Sequence, residues 1–426
     1  MGGEPDASLA AGAASLAAGR WGDARAAFEA SLAAGESAEA CFGLASALWW
    51  LGESHACVAQ GTRAYSLFRR QGAVQCAVWL SITYKADFGN VAAANGWARR
   101  AERLLEALDP GPLHGWALVA RAYRMPDLDA AEGLTDRAAV MARDAGDVDL
   151  ELVALAQLGL IRVGKGQAQE GFALIDEAMA AALAGERSSL DTVVYACCDM
   201  LTACELASDV ERAAQWCEVA DAFVATYGCP FLYAECRMYY GSVLTAKGRW
   251  RDADRELTAA LRIAEGAGAG VHARARARLA DLRIRQGRLE EAERLLVGFD
   301  EGVAADAETT LSLAALSLAR GDAPAASRRL RQRLRQVGEH RAVLAGALDL
   351  LVDACLASGE VEAAYAAAAR LADLAGLAGL ADLAGAAGTV AGGRVAALAA
   401  SARGRVSMAR GETEASVAQL EAALAA

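Results

Sequence analysis

The stretch Gly19-Arg20-Trp21-Gly22-Asp23-Ala24 returns as Gly248-Arg249-Trp250-Arg251-Asp252-Ala253, as Gly287-Arg288-Leu289-Glu290-Glu291-Ala292 and as Gly359-Glu360-Val361-Glu362-Ala363-Ala364. Looser copies begin at Gly52, Gly89, Pro126, Gly166, Ser208, Gly321 and Gly411. Successive copies are 33, 37, 37, 40, 42, 40, 39, 34, 38 and 52 residues apart. A period of this size holds two helices of about 15 residues and two short turns. Each part of the motif has a physical task. The Gly ends a first helix by taking the left-handed conformation. The Asp and Glu that follow suit the positive N-terminus of a second helix. The small Ala lets the second helix approach the first closely.

Outward from these turns, the preceding segments carry an apolar stripe. Cys41, Leu44, Ala45 and Leu48 fall at i, i+3, i+4 and i+7, as do Ala77, Leu80, Ser81 and Tyr84, and Trp116, Val119, Ala120 and Tyr123. One helix pair cannot bury such a stripe alone, so the pairs must stack into a superhelix. The expected fold is all-α, a solenoid of about ten to eleven antiparallel helix pairs. Composition agrees. Of 426 residues 55% are hydrophobic but only 6% aromatic, and six are proline, so helix-forming Ala and Leu dominate.

The motif and its period resemble tetratricopeptide repeats stretched beyond their usual length. The longer period resembles the helical sensor segments of bacterial transcription regulators of the LuxR and MalT-like type. Three patches carry that likeness: Glu170-Gly171-Phe172-Ala173-Leu174-Ile175-Asp176-Glu177-Ala178-Met179, Val194-Tyr195-Ala196-Cys197-Cys198, and Arg237 to Leu261. The resemblance implies a non-catalytic module that binds a protein, a peptide or a small molecule. Such regulators end in a helix-turn-helix, and no such module is read here. The chain stops at Gln419-Leu420-Glu421-Ala422-Ala423-Leu424-Ala425-Ala426, inside a second helix. It is therefore expected to be part of a longer regulator or a standalone adaptor, according to what the coding frame holds beyond Ala426.

The resemblance also implies that the first helix of each pair lines a concave groove. The candidate ligand-binding residues are then Trp49, Trp50, Lys85, His114, Arg121, Arg124, Tyr195, Glu205 and Glu235. Aromatic anchors with Arg and Lys clamps suit an extended peptide or a small anion. All eight tryptophans lie between Trp21 and Trp250. Residues 1–250 are accordingly expected to form the binding half, and 251–426 an Ala/Leu/Arg-rich scaffold with a Gly-rich, irregular pair near 371–393. Large aromatics at helical spacing also fill cores, and that alternative stands beside the first.

Charge and motifs exclude other classes. A net charge of −12 disfavours direct nucleic-acid binding and anionic membranes. The acidic start and the lack of a long apolar run predict neither a secretory signal nor a span, hence a cytoplasmic protein. Gly159-Leu160-Ile161-Arg162-Val163-Gly164-Lys165-Gly166 mimics a phosphate-binding loop. It lacks the magnesium-ligating Ser or Thr and follows a helix, so it reads as a repeat turn. The four histidines (His55, His114, His272, His340) and ten cysteines show no metal spacing. Six thiols between Cys197 and Cys236 read as small core residues. The arginines Arg328, Arg329, Arg331, Arg333 and Arg335 face abundant Asp and Glu and read as an ion-paired surface. No enzyme activity, cofactor or metal is expected, and a homo-oligomer is compatible with this reading.

Overall fold

The computed structural model describes residues 7–68, 71–88, 90–125, 127–207, 209–265, 269–299, 307–335, 341–375 and 394–425. The motif starts at Gly89, Pro126 and Ser208, the glycines between 376 and 393, and His340 lie outside the described residues. Among the described residues there are 22 helices and no strand. They fall into eleven antiparallel pairs. The first five are α1 (Ala7–Ala17) with α2 (Trp21–Ala34), α3 (Ala38–Trp50) with α4 (Ser54–Leu67), α5 (Gln71–Ala86) with α6 (Val91–Leu105), α7 (Pro112–Ala122) with α8 (Leu128–Ala145), and α9 (Val148–Gly164) with α10 (Ala168–Ala184). The next three are α11 (Asp191–Ala207) with α12 (Val210–Tyr227), α13 (Pro230–Ala246) with α14 (Trp250–Ala264), and α15 (Ala269–Arg285) with α16 (Leu289–Leu296). The last three are α17 (Ala307–Ala319) with α18 (Ala323–Arg333), α19 (Arg341–Ala357) with α20 (Val361–Leu374), and α21 (Arg394–Ala409) with α22 (Thr413–Ala425).

The motif explains every turn inside a pair. Gly19, Gly52, Gly166, Gly248, Gly287, Gly321, Gly359 and Gly411 all have positive φ, between 70° and 88°. The residue after each closes the same hydrogen bond back to the helix. Glu53 N–H donates to Leu48 O at 2.9 Å, and Arg249 N–H to Leu244 O at 2.9 Å. That is the Schellman arrangement, which satisfies carbonyls a helix end leaves open. At the other three turns a side chain caps the second helix, through Asn90, Asp127 and Asp209. The small residue five places after each motif start is buried in all eleven pairs: Ala24, Cys57, Ala94, Ala131, Gly171, Ala213, Ala253, Ala292, Ala326, Ala364 and Ser416. At Gly171 the approach leaves no room for a side chain, since an added Cβ would lie 2.5 Å from the Gly159 carbonyl oxygen.

First helices form an inner layer and second helices an outer one. From α5 onward each first helix also packs on the next first helix, up to α19 on α21. Helix α11 is buried nearly all round, which marks an interior helix. By contrast α14 buries one stripe, Ala253, Glu256, Leu257, Ala260 and Ala264, and exposes Arg251, Arg255 and Arg262 elsewhere.

The superhelix is tight enough for one turn to touch the next. Trp21 of the first pair donates its indole N–H to Tyr227 O of the sixth, at 2.5 Å. Trp49 of the second pair packs on Phe231 of the seventh, ring centres 4.8 Å apart. Arg274 of the eighth pair donates to Ala86 O of the third, at 3.0 Å. Helix α11 of the sixth pair touches α21 of the eleventh. Each contact spans five pairs (6 − 1, 7 − 2, 8 − 3, 11 − 6), so about five pairs complete a turn. C-terminal ends of α3 and α5 abut N-terminal ends of α11, α13 and α15, so helix dipoles meet head to tail. We call this contact the seam.

Candidate functional site

The inner layer and the seam gather most of the sequence's candidate residues. Trp50 is buried, stacked on Trp21 with ring centres 4.2 Å apart and planes 6° from parallel. Its indole N–H donates to Asp191 Oδ1 at 2.8 Å. Trp49 is half-buried beside it and donates to Asp87 Oδ2 at 3.1 Å. Both tryptophans thus sit in the seam, where the groove expectation would leave them facing a ligand. The five-pair pitch brings protein against their faces, and the indole N–H groups take carboxylate partners.

Further along the inner layer, Lys85 ends α5 with its ammonium on Tyr123 O at 2.5 Å. Tyr123 caps α7, so the lysine satisfies a helix-end carbonyl. Burial and the neighbouring Arg124 depress Lys85 to about 8. Arg124 Nη1 reaches Ser81 Oγ at 3.0 Å and Ala120 O at 2.5 Å. Tyr123 Oη donates to Asp199 Oδ2 at 2.7 Å, and burial pushes Asp199 up to about 8. Tyr195 stands between these groups and the seam, its ring 6.4 Å from Trp116. Burial raises the Tyr195 phenol, and the charges of Asp191 and Asp87 add to the rise. Burial likewise pushes Asp87 up to about 6, opposed by Arg274, and Asp191 up to about 6, opposed by the Trp50 bond.

Two ion pairs complete the wall. Buried Glu235 on α13 pairs with Arg274 on α15. Glu205 on α11 meets Arg278 on α15 at 3.1 Å, and Arg278 also lies over the Tyr239 ring at 4.4 Å. His114 and Arg121 stand apart at the two ends of α7, the first half-buried and the second exposed. Sequence reasoning passed over Asp87, Asp191, Asp199, Arg274 and Arg278. Each looks like one more charge on a solvated helix, and no local pattern separates a charge on an inner layer from one on an outer layer.

Other motifs resolve into structure. In the phosphate-loop mimic, Lys165 binds Glu132 at 2.6 Å and Asp129 at 2.5 Å, and Gly166 makes a left-handed turn. The cysteines are free thiols, eight of the ten buried. Of the clustered arginines, Arg331 pairs with Glu360 at 2.5 Å and Arg329 reaches Ser317 Oγ at 3.4 Å, while nearby Arg320 pairs with Glu293 at 2.8 Å. Among the described residues no group of His, Cys, Asp and Glu could hold a metal ion. No helix among them is long and apolar enough to cross a membrane.

No protein-family model matches this chain, and no curated protein matches it. Solved structures do. The chain is similar to a Rap protein complexed with Competence and Sporulation Factor, at 15% identity and TM-score 0.52, over 79% of this chain and 97% of that one. Fainter likenesses are to NprR in complex with its cognate peptide NprX (13% identity, TM-score 0.46, 74% of this chain and 93% of that one) and to yeast Tom70 (12%, 0.43, 98% and 91%). At such identities the likeness to Rap speaks for architecture alone. With the eleven turns and the two-layer packing, it establishes the chain as a tetratricopeptide-like α-solenoid.

Proposed function

We propose that this protein is a non-catalytic peptide- or protein-binding module that takes its ligand along the inner layer of first helices. One observation carries the reading. Half-buried Lys85, Tyr195 and Glu205 come from the inner helices α5 and α11, and half-buried Arg124 stands just past the end of α7. Polar groups on a rigid apolar wall suit an extended chain, whose side chains and carbonyls can take the place of their present partners. The Rap protein with this architecture was solved with a factor bound, which supports a partner for the fold.

Within that reading, residues 1–250 form the binding half and 251–426 the scaffold. Exposed Arg121 and half-buried His114 on α7 serve as the outer contacts of the groove. Trp49, Trp50 and Glu235 act indirectly, by holding the seam that sets the groove's curvature. The finer assignment is to the sensor region of a LuxR-type regulator, on the three patches quoted above, acting in the cytoplasm. A standalone adaptor is the second reading.

A random peptide library displayed on phage tests the site. Enriched peptides should bind the full chain, and Arg121→Glu with Tyr195→Phe, which removes the phenol oxygen and keeps the packed ring, should weaken them about tenfold or more with little change in melting temperature. Peptides that bind the double variant as tightly as the parent would place the site elsewhere.

A further inference from the structure

A pocket of about 320 Å³ opens on the seam. Its wall includes Gly52 and Glu53 from the turn of the second pair, His55 in the first turn of α4, Asp87 and Phe88 just past α5, and Gly270 in the first turn of α15. Pockets of roughly 300 Å³ and above hold small ligands.

The wall selects for charge. Its carboxylates are Asp87 and Glu53, and among the described residues no lysine or arginine lines it. Beyond the wall, Arg25 pairs with Glu53 at 2.6 Å, and Arg274 faces Asp87 while pairing with Glu235. Glu29 also pairs with Arg25, at 2.8 Å, so four carboxylates stand against two guanidinium groups. The rings of His55 and Phe88 meet at 5.1 Å and 59°, forming an aromatic corner. Ring faces attract cations. One feature opposes this: the first N–H groups of α4 border the pocket, and Glu53 gives them no side-chain cap. A helix N-terminus carries only about half a positive charge, less than the carboxylate excess. Gly270 keeps α15 close, since an added Cβ would stand 1.9 Å from Asp87 O.

The geometry points to a binding site for a small organic cation, a guanidinium or alkylammonium group, seated in the His55–Phe88 corner with its charge on the Asp87 carboxylate. This site lies on the seam and stands independently of the inner-groove reading.

Calorimetry on the full chain at neutral pH tests it, with n-butylguanidinium and its neutral isostere n-butylurea as probes. The cation should bind at least about tenfold more tightly than the urea. Asp87→Asn keeps an acceptor for the Trp49 indole and should abolish that preference. Phe88→Leu should reduce it, and decides the matter if Asp87→Asn does not fold. The preference should also fade as pH drops through about 6, where Asp87 takes up a proton. Equal affinities for the two probes, no binding of the cation at millimolar concentration, or a preference that survives both substitutions would each overturn the assignment.

Discussion

Trp50 and Asp191 lie 141 residues apart in sequence, yet the indole N–H of one meets a carboxylate oxygen of the other at 2.8 Å. The bond ties the second helix pair to the sixth across the seam. Asp191→Ala leaves a buried indole donor without its acceptor, which should cost about 1–3 kcal/mol. Trp50→Ala removes the bond, the Trp21 stack and a large core side chain, and should cost about 3–5 kcal/mol. Urea melts measure both. Solution scattering adds a direct test, since Trp50→Ala should expand the radius of gyration by loosening the seam. An unchanged radius would mean that the outer layer alone sets the pitch.

Buried acids should make this protein more stable in mild acid than in base. Asp87 and Asp191 are pushed up to about 6, and Asp199 to about 8. A raised carboxyl favours the native state while protonated, so its contribution is full below about pH 4, its unfolded value, and is lost as pH rises through the native one. Lys85, depressed to about 8, works the other way and loses its contribution as pH falls through that value. Asp199→Asn separates the two. The amide still accepts from Tyr123 and never ionises. It should stabilise by about 1–3 kcal/mol near pH 9 and change little near pH 5. Equal effects at both pH values would refute the buried-charge account.

Two glycines should fail for different reasons. Gly248 has φ 74° and open space around it, so Gly248→Ala should cost only the left-handed strain of about 1 kcal/mol. Gly171 faces the backbone of Gly159 at 2.5 Å from an added Cβ, so Gly171→Ala must separate α9 from α10, at about 2–3 kcal/mol or more. Thermal melts of the two variants should rank them in that order. The reverse ranking would mean that the α9–α10 contact relaxes freely.

The thiols should resist labelling in the native state. Burial raises Cys57, Cys198, Cys204 and Cys229, and brings Cys76 up to about 12. Thiolate is the reactive form, so few of the ten should react with an aromatic disulfide reagent at pH 8 before urea is added. Rapid native labelling would show that the layers holding these thiols open.

How much was legible follows from the range of the forces involved. The left-handed glycine, the hydrogen bond from Glu53 back to Leu48, and the stripe Cys41, Leu44, Ala45, Leu48 all act within eight residues. Local sequence therefore determined the eleven turns, the helix pairs and the small residue that lets each pair close. The seam is another matter. It arises from small rotations between neighbouring pairs that accumulate over five of them, and no short stretch encodes that sum. Only the tertiary structure could bring Trp49 to Asp87, Trp50 to Asp191 and Arg274 to the end of α5. It thereby decided that Trp49 and Trp50 lock one turn of the solenoid onto the next.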